Sequence, residues 1–400
     1  MMAIAGWDST SVAEEFHVQL GKRLDAAVKR GEIKACINNR SVRWGHILIE
    51  ESVWEPLTGQ DIRDLRLIAG DVLMCEGGEI GRAAVWSDQL PEAYFLNTLH
   101  RLRSKGGYNP YLLASFFERI AASGELAAVV GKATLAHLTK ENLLKVRLPL
   151  PPADEQTRIV SALRSADDLI AALELLITKK QAIKQGMMQQ LLTGRTRLPG
   201  FGEKWRRTSI GDIANQHRRT VDPRKEPDRL FQHFSLPAFD DGAIPQVVPG
   251  AKIESIKFFV PSEAILVSKL NPRIPRIWAP TEIGDNAVAS TEFVVMTAGP
   301  GVSPSFLKWL MKSDAVISPM KRLATGTTGS HARIHPRQIA ALKVVLPDEV
   351  EQLTIAAVLD DASHELQLLR ARLTKARTIK TGMMQQLLTG RTRLPVEVES

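Results

Sequence analysis

Two stretches of the chain carry the same heptad spacing of apolar positions. Ile159, Leu163, Ala166, Ile170, Leu173 and Ile177 follow one another at intervals of 4, 3, 4, 3 and 4, and Ile355, Leu359, Ala362, Leu366, Leu369 and Leu373 repeat the series. Asp, Glu, Lys and Arg occupy the positions between, so each stretch predicts a helix with one narrow apolar seam. A Pro-x-x-x-Glu-Gln start at 151–156 and 347–352 places proline and acids at the positive end of the helix dipole. Gly194 and Gly390, followed by basic residues and Pro199 or Pro395, mark the stop. A helix from about 153 to 192 measures roughly 58 Å at 1.5 Å per residue. Lys180, Lys184 and Lys380 fall on the continuing seam, where the contact is expected to loosen. Outside these stretches, short apolar runs such as 71–74 and 264–267 are bounded by Gly, Pro and Ser and predict strands. Helices are predicted near Pro110–Arg119 and Pro304–Lys312.

The similarity extends beyond spacing. IKTGMMQQLLTGRTRLP (379–395) matches IKQGMMQQLLTGRTRLP (183–199) at 16 of 17 positions, and 150–199 matches 346–395 at 26 of 50. The offset of 196 residues means that half of the chain is duplicated, unlike a solenoid with its short period. Upstream of each copy the similarity nearly vanishes. The organisation is therefore variable segment 1–149, helical repeat 150–199, variable segment 200–347 and helical repeat 348–400. Two such helices in one chain pack most simply as an antiparallel coiled coil with a pseudo-twofold relation. Packing of each helix on its own neighbouring segment, or between chains, are the alternatives. The near-identical GMMQQLLTGR segments read as exposed and suggest equal docking sites for two copies of a partner.

Composition narrows the class. Of 400 residues, 44% are hydrophobic and 24% charged, as in globular proteins of two to four domains. Two cysteines, Cys36 and Cys75, are too few for a disulfide framework. No signal peptide or membrane-length apolar run is visible, which points to a cytoplasmic protein. The net charge is +8, and it is uneven: 1–149 is neutral, whereas 200–347 holds 20 basic against 13 acidic residues. If both segments grip one polyanion, the first must do so with a local patch.

The phrases GKRLDAAVKRGEIKACINNRSVRWGHI (21–47), GDVLMCEGGEIGRAAVW (70–86) and NTLHRLRS (97–104) resemble the first target-recognition domain of type I restriction-modification specificity subunits. LPLPPADEQTRIVSAL (148–163) and LLTGRTRLPGFGEKW (191–205) resemble that family's central helix and its passage into the second recognition domain. GKATLAHLTKENLLKVRLPLPP (131–152) and TGTTGSHARIHPRQIAALKVVLP (325–347) are similar to its paired domain ends. The resemblance implies an α+β fold with two globular target-recognition domains separated and joined by two long helices. It implies that each domain reads half of a bipartite, asymmetric DNA site, with the helix pair fixing the gap. Two adenine-N6 methyltransferase subunits and the restriction subunits are the implied partners. S-adenosylmethionine is then expected on the methyltransferase, ATP and Mg2+ on the restriction subunit, and none of them on this chain.

Catalytic motifs are missing from the sequence. Asn109-Pro110-Tyr111 lacks the second proline of an adenine methyltransferase loop and opens a predicted helix. Gly77–Arg82 reads as a tight turn, and Gly131-Lys132-Ala133-Thr134 fails the spacing of a phosphate-binding loop. No histidine or cysteine stands at metal spacing. The expectation is a non-catalytic subunit, with a stand-alone bipartite DNA-binding regulator or scaffold as the alternative.

Reading DNA needs Arg or Lys for guanine, Asn or Gln for adenine, and cations for phosphates. Candidates in the first segment are Asn38, Asn39, Arg40, Arg43, Arg82, His100, Arg101 and Arg103. In the second they are Gln216, His217, Arg218, Arg219, Lys269, Asn271, Arg273 and Arg276, joined by Thr327, Ser330 and Arg333 from a Gly/Thr/Ser-rich stretch.

Overall fold

A computed structural model describes residues 6–22, 31–127, 137–326 and 332–394. The chain divides into two compact units, one formed by 1–175 with 370–400 and the other by 176–369. Four helices organise them: α1 (Pro110–Ala122), α2 (Ala153–Leu191), α3 (Pro304–Met311) and α4 (Glu349–Leu387). The long helices α2 and α4 span 39 residues each. Each unit holds the first part of one long helix and the last part of the other.

Within each unit the two helical pieces run antiparallel. In the first, Lys380 reaches Asp167 and Arg377 reaches Glu174, at 2.8 and 2.6 Å. In the second, Lys180 meets Glu365 at 2.7 Å. Ile159 and Leu163 pack with Met384, Leu387 and Leu388 in the core of the first unit. Ile355 and Leu359 pack with Met188, Leu191 and Leu192 in the core of the second. Leu173, Leu366 and Leu369 are buried; Ile170, Ile177 and Leu373 are half-buried. The seam thus joins each helix both to its antiparallel neighbour and to a globular core. The seam lysine Lys380 does not loosen the contact as its charge suggested. It is buried between Glu118 and Asp167, whose carboxylates outweigh the burial and hold its pKa above the usual lysine range.

The apolar runs form strands at the centre of each unit. In Val72–Cys75 every residue is buried, and alternate side chains enter different clusters: Val72 and Met74 one, Leu73 and Cys75 another. Ile265 and Val267 divide from Leu266 in the same way. A strand covered on both faces reads as a continuous apolar run rather than an alternating one. The first unit carries a four-stranded antiparallel sheet in the order Phe16–Leu20, Leu99–Ser104, Val72–Cys75, Ala83–Val85. The second repeats it with Ala214–His217, Phe293–Ala298, Ile265–Ser268 and Ile277–Trp278. Glu32–Ile37 pairs antiparallel with Val53–Leu57 and parallel with Tyr94–Phe95 in the first unit. In the second, Leu230–Phe234 likewise pairs with Gln246–Pro249 and Ala287–Ala289. The two ends of each variable segment close on each other: Asp8–Ser11 lies antiparallel to Arg147–Leu150, and Arg206–Ser209 to Lys343–Leu346.

Each long helix begins at a buried latch. Glu155 is almost completely buried; it accepts hydrogen bonds from Trp7 Nε1 at 2.9 Å and from the guanidinium of Arg393. Glu351 does the same with Trp205 Nε1 at 2.8 Å and Arg197 Nε and Nη2 at 2.6 and 2.7 Å. Each guanidinium also stands 5.4 Å from the ring of the tryptophan it shares the carboxylate with. The neighbouring glutamines bind backbone. Gln156 Oε1 accepts from Asn109 N and its Nε2 donates to the carbonyls of Gly107 and Pro151. Gln352 repeats these bonds with Ser303, Gly301 and Pro347. Asn109 and Ser303 are the N-caps of α1 and α3, so the latch fixes the shorter helix against the longer.

This corrects the expectation that GMMQQLLTGR is an exposed segment. Met188, Leu191 and Leu192, and equally Met384, Leu387 and Leu388, are core residues, and Arg197 and Arg393 close the latches. Much of the near-identity has an internal cause. Gly194 ends its helix at φ +70°, in the left-handed region, and an added Cβ would meet the Trp205 ring at 3.3 Å. Glu351→Ala strips a fully buried acceptor from both Trp205 and Arg197. It is expected to lower stability by about 3 kcal/mol, read as a lower urea midpoint, with Glu351→Gln losing less. An unchanged midpoint in the alanine variant contradicts the latch.

Candidate nucleic-acid interface

In the first unit, the turn at Asn38–Arg40 and the glycine turn after strand Val72–Cys75 are tied together. Arg82 Nη2 donates to the Asn39 carbonyl at 2.7 Å and its Nη1 meets Glu79 at 2.9 Å. Gly78 and Gly81 take φ of +77° and +74°, which this turn requires. Asn38 Oδ1 accepts from the backbone N of Arg40 and Ser41, at 2.8 and 3.3 Å, an Asx turn that holds its side chain against its own loop. Arg43 donates to the carbonyls of Arg40 and Val42. Arg40 is exposed; Asn39 and Arg43 are half-buried beside it.

The cluster at 100–103 behaves differently from its expected role. Successive residues of strand Leu99–Ser104 face opposite ways, so His100 turns inward while Arg101 and Arg103 share the other face. His100 is fully buried with its Nε2 2.8 Å from the Leu138 carbonyl, and burial pushes its pKa down. It is a core residue and no DNA contact. Arg103 bonds both oxygens of the fully buried Asp71 at 2.7 Å. Arg101 bonds the carbonyls of Asp64 and Arg66 and lies 5.0 Å from the Phe95 ring. Both arginines staple the 64–71 loop to the sheet, and Arg82 joins two turns. Their guanidiniums position the frame rather than reach outward.

In the second unit, Arg276 is held the same way, by two bonds to Asp240 at 2.7 and 2.8 Å. The corrections share a cause: a basic residue in sequence gives no sign of a carboxylate 32 or 36 residues away, as Asp71 and Asp240 are. Gln216, Arg218 and Arg219 are exposed, with Arg218 donating to Gln216 Oε1 at 2.9 Å and Arg219 standing over the Phe259 ring at 4.9 Å. His217 is half-buried, its Nε2 2.9 Å from Thr297 Oγ1. A second group is brought together by backbone bonds. Asn271 N donates to the Ala332 carbonyl at 2.7 Å and Ile334 N to that of Lys269 at 3.0 Å. Asn271 sits at φ +47°, with its side-chain oxygen buried and without a partner. Lys269 is half-buried, Arg273 is exposed, and Arg333 is half-exposed beside Glu292 at 3.3 Å. Thr327 and Ser330 lie outside the described residues.

Among the described residues no group of His, Cys, Asp and Glu is placed to hold a metal ion. Cys36 and Cys75 are buried, and burial raises both thiols, Cys36 to about 12. Asn109 caps α1 with Pro110 in its first turn. Among the described residues no helix is long and apolar enough to cross a membrane. What each unit does present is a rigid turn beyond its central strand, at 76–82 and 269–276, with polar and basic side chains around it.

Comparison with known proteins shows the same architecture elsewhere. Residues 58–185 match the type I restriction modification DNA specificity domain. The Methanocaldococcus jannaschii protein named MjaX type I restriction enzyme specificity subunit is 22% identical over 364 residues, covering 85% of this chain and 82% of its own. The MjaVIII specificity subunit of the same organism is 23% identical over 288 residues, 65% of each chain. Over most of its length this chain is similar to type I restriction-modification specificity subunits. The fold agrees. The S subunit of M. genitalium superposes with a TM-score of 0.61 at 12% identity, over 96% of both chains. A chain from a structure of type I restriction-modification complex assembly and conformational transition gives 0.56 at 15% identity, over 98% of this subunit and 100% of that chain.

The outward arginines of this protein and its stapled ones are separable by experiment. Arg40→Ala and Arg219→Ala are each expected to weaken DNA binding at every sequence and to lower the slope of log K against log salt by about 1. Arg103→Ala is expected to lower the thermal midpoint instead. A full salt slope in both outward variants removes them from the interface.

Proposed function

We propose that this specificity subunit reads a bipartite, asymmetric DNA sequence, one half with 1–149 and the other with 200–347. One observation carries the reading: two units built on the same latch, clasp and central strand carry unrelated side chains at the corresponding turns. A repeated frame with dissimilar tips suits two half-sites of different sequence. Asn39, Arg40 and Arg43 in the first unit, and Gln216, Arg218, Arg219, Lys269, Asn271, Arg273 and Arg333 in the second, supply the side-chain types that read bases and bind phosphates. The excess of basic residues in 200–347 makes the second segment the stronger electrostatic anchor.

In this reading the subunit is non-catalytic. The repeats 150–199 and 348–400 set the gap between half-sites, for which their two 39-residue helices have the length. They also dock two adenine-N6 methyltransferase subunits, which bring S-adenosylmethionine, and restriction subunits, which bring ATP and Mg2+. Not all of the repeated segment is used internally. Arg195 and its counterpart Arg391 are both exposed, so a matching outward group remains for two copies of one partner. An assembly that acts on chromosomal DNA belongs in the cytoplasm. Relatives named as subunits of restriction enzymes weigh against a stand-alone regulator.

Exchange of 200–347 for the corresponding segment of another specificity subunit tests the division of labour. The methylated motif is expected to change in one half only. A change in both halves, or in neither, contradicts it.

A further inference from the structure

The second unit holds a cavity of about 740 Å3, lined by the paired strands Arg206–Ser209 and Lys343–Leu346, the end of α2, and the helices α3 and Asp314–Leu323. Its floor is apolar: Leu192, Leu310 and Val344 are buried there in the core of the unit. Its rim is basic, with Arg206, Arg207 and Lys343 all exposed. The lining residues include one carboxylate, Asp212. It already accepts from the backbone N of Ser209 at 3.1 Å and from the hydroxyls of Ser209 and Thr208, and Lys343 acts on its charge. Neither Arg206 nor Arg207 has a hydrogen bond or ion pair among the described residues.

The first unit has the same strand pair with different charges. By register, Asp8, Ser9 and Arg147 take the places of Arg206, Arg207 and Lys343. There the cation is used internally: Arg147 Nη2 donates to the Ser9 carbonyl and to Ser9 Oγ, both at 3.1 Å, and its Nη1 lies 3.8 Å from Glu14. Two uncommitted guanidiniums therefore distinguish the second unit at this place. Its two strands have only each other as neighbours among the described residues, so each keeps one open edge of backbone N–H and C=O groups.

We propose that this cavity binds an extended segment of a protein partner in which apolar and acidic residues alternate. An extended segment adds main-chain bonds at an open strand edge and turns every second side chain to one face. Its apolar side chains cover Leu192, Leu310 and Val344, and its carboxylates take the two-pronged bonds that Arg206 and Arg207 offer. A DNA backbone meets the arginines but leaves the apolar floor in water. The charge pattern occurs on one unit, so each chain holds one such segment. The site stands apart from the reading of DNA and does not depend on it.

The test is the fluorescence anisotropy of a labelled peptide of three valine–glutamate repeats, titrated with the full chain. Control peptides replace valine by serine or glutamate by lysine, and both are expected to bind at least about tenfold more weakly. Arg206→Glu and Arg207→Glu are each expected to weaken the valine–glutamate peptide about tenfold, whereas Ser9→Glu in the first unit leaves it unchanged. Ala315→Trp, which fills the cavity from its wall, is expected to abolish binding at an unchanged thermal midpoint. If that variant folds poorly, the three peptides on the wild-type chain decide the matter. Equal binding of the serine peptide, or no rise in anisotropy up to about 100 μM chain, overturns the proposal. So does a non-cognate duplex that displaces the peptide from the wild type and itself binds Ala315→Trp more weakly, which assigns the cavity to DNA.

Discussion

A carboxylate buried at the start of each long helix is the constraint on which the rest of the structure depends. Glu155 and Glu351 lie where water cannot reach, so every lone pair must find a donor inside the protein. Trp7 with Arg393, and Trp205 with Arg197, supply those donors. Each set draws on the residue just before the strand that opens a variable segment, on the start of one long helix and on the stretch after the end of the other. Losing one member leaves the others desolvated and unpaired, so the ends of the repeat are bound to one arrangement.

Divergence is then confined to particular places. Strand Val72–Cys75 and residues 265–267 carry only apolar side chains, because both faces enter cores. The staples Arg103–Asp71 and Arg276–Asp240 hold loops against those strands. Beyond them the turns at 76–82 and 269–276 are stiffened by backbone and side-chain bonds, while Arg40 beside the first and Arg273 in the second are exposed. A specificity subunit needs this separation of a rigid support from exchangeable contact groups, since base readout requires side chains held in a fixed pose.

Much of this was legible in the sequence, for reasons that differ by element. The long helices announced themselves because a heptad seam needs no tertiary information, and their glycine ends are local. The central strands were visible as unbroken apolar runs. The latch was not: Glu155 and Glu351 read as ordinary acids at a helix start, because their arginine partners lie 238 and 154 residues away. For the same reason the identity of 183–199 and 379–395 suggested docking sites or a recent duplication, when much of it serves internal packing. His100, Arg101 and Arg103 looked like one basic cluster, yet strand periodicity divides them and buried or backbone acceptors hold them. Charge is readable from sequence; whether a charge has already found its partner is a property of the fold.

The most direct measurement is single-molecule sequencing of DNA from cells carrying this protein with the methyltransferase proposed as its partner, against cells lacking only this protein. The account predicts N6-methyladenine at a split, asymmetric motif that disappears with the subunit. An unchanged methylation pattern, with both proteins expressed, contradicts it.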